Sequence, residues 1–282
     1  MPATTSFLKG EQYMLEIFSD PFNKRIRIDD LRGDLDKAIE KAEEIAKEEM
    51  AEKLIIKGRR EQFLPLIEKG YQCEALIDRY FLGSDGYFFC KYFSNERRNS
   101  NDILKEDGIV KNVQLLERSF EGVAPPEEYK LTLIGKEDAR RLAELYQQVF
   151  KIYPTPLHEP GYIEKTIDEG TIYYAFYCEE KIVSAASAEV NNFYQNAELT
   201  DCATLPEHRK YGLMKILLEK LEEQLVKQGV YCSYSIARAL SFGMNAALHQ
   251  LGYAYRGRLT NNCYIFDKIE DMNVWVKDLS KM

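Results

Sequence analysis

The stretch that most constrains the fold is Leu205-Pro206-Glu207-His208-Arg209-Lys210-Tyr211-Gly212-Leu213-Met214-Lys215. It separates an extended run, Ala197 to Leu205, from a run over Ile216 to Val226 in which Leu217, Leu218, Leu221 and Leu225 recur at helical spacing. A strand that passes through a basic, glycine-bearing loop into a long helix presents unpaired backbone N–H groups at the helix's positive end, where a pyrophosphate is favoured. The segment reads as an anion cradle, and it places the second half of the chain among α/β folds.

Upstream of it, Leu131 to Ile134 reads as a strand, and a helix opens at Lys136-Glu137-Asp138 with Leu142, Leu145, Tyr146 and Val149 on one side. A loop carrying Pro154, Pro156 and Pro160 leads to a short helix near Tyr162 to Glu169, and two strands follow, Thr171 to Tyr177 and Ile182 to Val190. Downstream come a strand over Tyr231 to Ile236, a helix ending at Leu251-Gly252-Tyr253, and a closing pair, Tyr255 to Leu259 and Cys263 to Phe266. The N-terminal third repeats part of this order: an amphipathic helix between Leu31 and Met50, a strand Lys53 to Ile56, a helix Arg60 to Lys69 stopped by Gly70, and a hairpin of Tyr71 to Leu82 with Tyr87 to Phe93. A polar connector from Phe93 to Pro126 divides the chain into residues 1–120 and 121–282.

A formal net charge of −8, from 46 acidic against 38 basic side chains, argues against a nucleic-acid partner, which needs a surplus of Lys and Arg on one face. The six cysteines are scattered without a CxxC pair and read as thiols of a reducing, cytoplasmic compartment. The three histidines join neither one another nor the cysteines, so no metal is expected. No apolar run approaches the about 20 residues that cross a bilayer, so no membrane association is expected.

Arg209, Gly212 and Met214 fall on the positions of the Arg/Gln-x-x-Gly-x-Gly/Ala loop of the GNAT N-acetyltransferase superfamily, which the segment resembles; Met214 departs from the small residue usual at the last position. Asn245 matches an Asn near the start of the helix that lines the pantetheine arm of the cofactor, and Leu248 stands where many members carry a tyrosine that protonates the thiolate. The resemblance implies a GNAT α/β (α+β) fold, with a mixed, mostly antiparallel sheet flanked by helices and preceded by a smaller degenerate half domain. It implies acetyl-CoA as co-substrate, held by Ala203, Thr204, Leu205, Arg209, Lys210, Tyr211, Gly212, Leu213, Met214 and Asn245. Glu198 to Pro206, Gly243-Met244-Asn245, Gly252-Tyr253, Asn261-Asn262 and Met272-Asn273-Val274-Trp275 are, together with the N-terminal half, similar to the β-lysine N-acetyltransferase family. That family acetylates the 6-amino group of β-lysine supplied by a lysine 2,3-aminomutase, and the product serves as a compatible solute. A polyamine or other amino-acid acetyltransferase, and a silent acetyl-CoA-binding regulator, are the competing readings; an assembly of two copies is compatible with each.

An alkyl ammonium with a pKa of about 10.4 must lose a proton before it attacks a thioester, so a carboxylate acting directly or through water is the expected base. Glu198 and Asp201 are the candidates, Glu198 favoured; their separation of three predicts opposite strand faces. A backbone N–H between Cys202 and Leu205 is expected to hold the developing oxyanion, and water or His249 to protonate the thiolate. Cys202 as a covalent nucleophile is disfavoured, since direct attack needs no acyl-enzyme. A substrate carboxylate calls for a cation, with Arg238, Arg256 and Arg258 as candidates, beside Asn262. Trp275 reads equally as packing or as a substrate wall.

Overall fold

The computed structural model describes residues 3–118, 124–150, 155–265 and 268–281. Pro154, Phe266 and the 120/121 boundary lie outside the described residues.

The first part of the chain forms β1 (Thr4–Lys9), β2 (Tyr13–Asp20), β3 (Arg25–Gly33), α1 (Leu35–Glu48), β4 (Lys53–Gly58), α2 (Phe63–Glu68), β5 (Gln72–Phe81) and β6 (Ser84–Tyr92), followed by α3 (Asn95–Arg98) and α4 (Ile103–Gln114). The second part forms β7 (Tyr129–Leu133), α5 (Ala139–Val149), α6 (Pro160–Asp168), β8 (Ile172–Cys178), β9 (Lys181–Asn191), β10 (Asn196–Thr204), α7 (Leu213–Lys227), β11 (Cys232–Arg238), α8 (Phe242–Gln250), β12 (Ala254–Ile265) and β13 (Lys268–Asp278).

All the strands belong to one 13-stranded sheet in the order β1-β2-β3-β4-β6-β5-β12-β13-β11-β10-β9-β8-β7. The pairs β3/β4 and β10/β11 are parallel and the remainder antiparallel, so the expected mixed, mostly antiparallel sheet is present. Read inward from each end, β1-β2-β3-β4-β6-β5 and β8-β9-β10-β11-β13-β12 have the same connectivity, which makes the repeat structural. The two units join edge to edge at Gly257 opposite Ala75. Gly257 has φ +127°, and a Cβ there would lie 2.2 Å from the Glu74 carbonyl oxygen, so only glycine permits this approach.

Local chemistry accounts for the helices nearest the site. Asp34 caps α1 by accepting from the Lys37 N–H at 3.1 Å, and Ala38, Ile39, Ala42 and Ala46 form its buried stripe. Leu213, Leu217, Leu218, Leu221 and Leu225 bury the inner face of α7, each contributing about 1.5–3 kcal/mol of transfer free energy.

Three parts of the sequence reading are corrected. Residues 4–30, left without elements, and residues 31–33, read as the start of a helix, form three strands. The polar connector contains two helices, and α4 leads into Leu116, whose carbonyl lies 3.1 Å from His249 Nε2 on α8. Tyr255–Leu259 and Cys263–Phe266 are not partners: the described residues of both belong to β12, which pairs with β13. The break that suggested two strands is a bulge at Asn261 (φ 43°), whose amide donates to the carbonyls of Glu96, Arg97 and Asn99.

Candidate active site

The parallel pairing of β10 with β11 covers only Asn196–Glu198 against Cys232–Tyr234. Beyond Glu198 the two strands part, and β10 continues to Thr204 along β9 alone. The Leu205 N–H donates to the Val183 carbonyl at 2.9 Å. Because successive N–H groups alternate sides in an antiparallel ladder, the Thr204 N–H points into the opening toward β11. Thr204 is itself fixed by a 2.8 Å hydrogen bond between its hydroxyl and that of Ser184, and Ala203 is buried beneath it.

A 3-10 turn over Pro206–Tyr211 then leads to Gly212, at φ 67° and ψ 14°, which serves as the N-cap residue of α7. Nothing lies within 4 Å of the space a Gly212 Cβ would fill, so this backbone is open to a ligand. Arg209 braces the turn through Nε to the Thr204 carbonyl at 3.2 Å, and the Lys210 ammonium lies 5.0 Å from the Tyr211 ring centroid. Tyr211 packs on Tyr129, whose hydroxyl meets His208 Nδ1 at 2.6 Å. Leu213 is core, and Met214 turns its side chain to the same apolar cluster, so the departure from a small residue does not crowd the loop. Open first-turn amides beside Arg209 and Lys210 fit the diphosphate of a coenzyme A thioester.

Glu198 stands at the point where β10 and β11 part, and Glu189 on β9 is its direct cross-strand partner. A bulge between Thr200 and Ala203, with Asp201 at φ 51°, adds one residue to β10. Asp201 therefore joins the face of Glu198 instead of the opposite one, correcting the expectation from alternation. Ser187, on the Glu189 face of β9, donates to Asp201 Oδ2 at 2.8 Å. Burial, and then the negative charges of Asp201 and Glu198, push Glu189 up to about 8. Burial also raises Glu198, while Lys57, Arg27 and a hydrogen bond from Tyr234 pull it back.

Those cations come from the N-terminal unit. The sheet curls until β3 and β4 look across at β9 and β10. The Tyr194 hydroxyl, at the β9–β10 turn, accepts from Arg32 at 3.1 Å and Arg59 at 2.9 Å, and the Asn196 amide reaches the Tyr80 carbonyl at 2.8 Å. Arg27 holds Asp29 with Nε at 2.6 Å and Nη2 at 3.0 Å, while Lys57 Nζ reaches Asp29 at 2.8 Å and the Tyr80 hydroxyl at 2.9 Å. Burial alone would raise the Asp29 carboxyl, but these two cations hold it well below its ordinary range. None of these residues was identified from sequence. The available signal was the alternation Arg25-Ile26-Arg27-Ile28-Asp29, which puts three charged side chains on one strand face.

Other candidates stand elsewhere in the structure. Asn245 is fully buried: its amide donates to the carbonyls of Arg238 (2.9 Å) and Ser241 (2.7 Å), and its Oδ1 accepts from Asn273 (2.9 Å) and Trp275 (2.7 Å). Its side chain is committed to hydrogen bonds within the protein, and Trp275, 0% exposed, is packing. His249 is sealed between Trp275 and the Leu116 carbonyl, which removes it as a proton donor at the cleft. Arg238 is bidentate to Glu270, Arg256 pairs with Asp78, and Arg258 pairs with Glu106 and Asp107, so all three already neutralise carboxylates away from Glu198. Asn262 offers its backbone carbonyl to Arg25 and Arg97. Burial, then Asp201, push the Cys202 thiol well up, so it stays protonated and unsuited to attack.

A glycine-gated strand-to-helix turn, a diverging neighbour strand and a carboxylate at the point of divergence together define an acyl-CoA-dependent N-acetyltransferase. Residues 139–253 match the family model described as Acetyltransferase (GNAT) family. The N-acetyltransferase YodP of Bacillus subtilis is 38% identical over 260 residues, covering 92% of this chain and 94% of that protein. The beta-lysine N(6)-acetyltransferase of Methanosarcina mazei is 39% identical over 230 residues, covering 74% and 85%, and that of Methanococcus maripaludis is 34% identical over 262 residues, covering 90% and 93%. The chain belongs to the GNAT N-acetyltransferases and, within them, to the β-lysine N-acetyltransferase family; it is an acyltransferase with acetyl-CoA as co-substrate. No helix among the described residues is long and apolar enough to cross a membrane.

Proposed function

We propose that this enzyme acetylates the terminal 6-amino group of β-lysine, giving N-epsilon-acetyl-β-lysine in the cytoplasm, with a lysine 2,3-aminomutase supplying the substrate. The observation that carries the reading is the carboxylate group of Glu189, Glu198 and Asp201 at the divergence of β10 and β11, faced by Arg27 and Lys57. A diamine with one carboxylate is a cation with a local negative end, and this surface offers both complements.

Acetyl-CoA supplies, when bound, a thioester carbonyl as the electrophile. Arg209, Lys210 and the first amides of α7 hold its diphosphate. Glu198 takes the proton of the incoming ammonium, with Glu189 as the neighbour that shares it. The Thr204 N–H stabilises charge developing on the carbonyl oxygen. With His249 sealed away, water is the proton source for the departing thiolate.

Release of free CoA thiol on mixing the protein with acetyl-CoA and β-lysine, α-lysine or spermidine, with mass spectrometry of the product, tests the reading. Turnover strongest with β-lysine, with one acetyl group on the terminal nitrogen, is expected. Turnover confined to spermidine moves the acceptor to polyamines, and silence with every amine leaves a binding protein.

A further inference from the structure

Lys57 Nζ donates to the Tyr80 hydroxyl at 2.9 Å, the Tyr80 ring lies 5.8 Å from that of Tyr234, and Tyr234 is the register partner of Glu198, yet neither Lys57 nor Arg27 pairs with Glu198 within 4 Å among the described residues. The Glu189 residue reaches the surface, while its carboxyl is crowded by charged groups of three other strands. The Arg27 side chain is 25% exposed and that of Lys57 9% exposed, so Arg27 is the more accessible of the two cations.

Both cations are held ready rather than consumed. Arg27 spends Nε and Nη2 on Asp29 and lies 4.5 Å from the Phe18 ring centroid, which fixes the guanidinium plane; its Nη1 has no partner among the described residues. Its side chain remains 25% exposed. Lys57 spends two of its three donors, on Asp29 and Tyr80, and lies 5.1 Å from the Tyr80 ring and 5.8 Å from the Phe88 ring. Asp29 is the one carboxylate paired directly with both cations among the described residues, with Glu16, Glu189 and Glu198 near them but unpaired, so each cation keeps a spare donor. Arg238, Arg256 and Arg258, by contrast, each neutralise carboxylates of their own.

We infer that Arg27 and Lys57, carried by the half of the chain without a cofactor loop, recognise the carboxylate of the amine substrate and so set the preference for an amino acid over a simple diamine. The acceptor site is then composite: the second half supplies the base and the acyl donor site, and the first half supplies specificity. This assignment rests on the reading of the acceptor as an amino acid.

The test compares β-lysine with its carboxamide, 3,6-diaminohexanamide, which keeps both amines and loses the negative charge. The wild type is expected to favour the acid in kcat/KM by about tenfold to hundredfold, the worth of a hydrogen bond to a charged group. Measured on the high-pH plateau, where the base is ionised in every variant, Arg27→Gln should raise KM for the acid by a similar factor, leave KM for the carboxamide and for acetyl-CoA unchanged, and hold kcat within a few-fold. Lys57→Gln should act in the same direction, and Arg27→Lys should fall between, since a point charge replaces a planar fork. If Arg27→Gln fails to fold by circular dichroism, Lys57→Gln and Arg27→Lys decide the matter. Retained preference for the acid in these variants, or equal loss with both substrates, overturns the assignment while the functional reading stands. A wild type that ignores β-lysine for spermidine sinks the functional reading, and this one with it, before any variant is made.

Discussion

Glu189 and Glu198 face each other directly across β9 and β10, with Asp201 brought beside them by the bulge. Loss of solvent around the carboxyl, and then repulsion from the like charges of Asp201 and Glu198, make the group keep a proton into the neutral range, with Glu189 pushed up to about 8. The carboxylate form is the base, and kcat/KM is expected to rise with pH through an apparent pKa of about 8 that belongs to the group rather than to one residue. Glu198→Gln should lower kcat by about 10²–10⁴-fold. Glu189→Gln removes one negative neighbour and should move the rising limb to lower pH. A pH profile of Glu189→Gln that superimposes on the wild type would show that the two carboxylates are not coupled.

Asn245 is expected to matter for folding, not for cofactor affinity. Asn245→Ala leaves Trp275 Nε1 and Asn273 Nδ2 buried without their acceptor, at about 1–3 kcal/mol each. Chemical denaturation should show the loss, while KM for acetyl-CoA stays near the wild-type value. A variant of native stability with a strongly raised KM would return Asn245 to the cofactor site.

Gly257→Val tests whether the two units need their junction. The side chain would meet the Glu74 carbonyl oxygen and Ala75 Cα in a conformation that L residues avoid. A loss of about 2 kcal/mol or more is expected from strain and overpacking. It should come with a drop in activity, because curling of the sheet carries Arg27 and Lys57 to the site. Full activity in a folded variant would separate the junction from the chemistry.

Glu106 lies buried on α4 beside Asp271, and burial, then that neighbour, push it up to about 8. Its unfolded value is about 4.3, so across that window the native state holds a proton the unfolded chain has released. The associated stability is complete below about pH 4.3 and is lost as pH rises through about 8. The melting temperature of the wild type should fall over this range, and Glu106→Gln, which stays neutral, should flatten the decline. Parallel profiles for the two proteins would count against a shared proton.

Near the cofactor loop, sequence and structure agree because the determinants are local. Gly212 sets a left-handed turn, the leucines of α7 recur at 3 and 4, and Asp34 caps α1; none of these needs a distant partner to be recognised. Of the three N-terminal strands only β3, through Arg25-Ile26-Arg27-Ile28-Asp29, carries a regular alternation, and its charges find their reason only on another part of the sheet. The site residues divide in the same way. Glu198 and the loop could be read from the run that contains them. Alternation assigned Asp201 to the wrong face, because one extra residue in β10 reverses the side on which every later side chain points, and a bulge has no sequence pattern of its own here.

Asn245 and the three C-terminal arginines show what spacing alone leaves open. Each has chemistry suited to a ligand, but the structure satisfies it internally, through Trp275 and Asn273 for the amide and through Glu270, Asp78, Glu106 and Asp107 for the guanidinium groups. The sequence by itself determined the glycine-bearing strand-to-helix turn, the flanking helices and a carboxylate at the strand end, since these follow from backbone geometry and spacing over a dozen residues. Only the tertiary structure decided which cations face that carboxylate, because the curl of a 13-stranded sheet sets Arg27 and Lys57 opposite Glu198 across most of the chain.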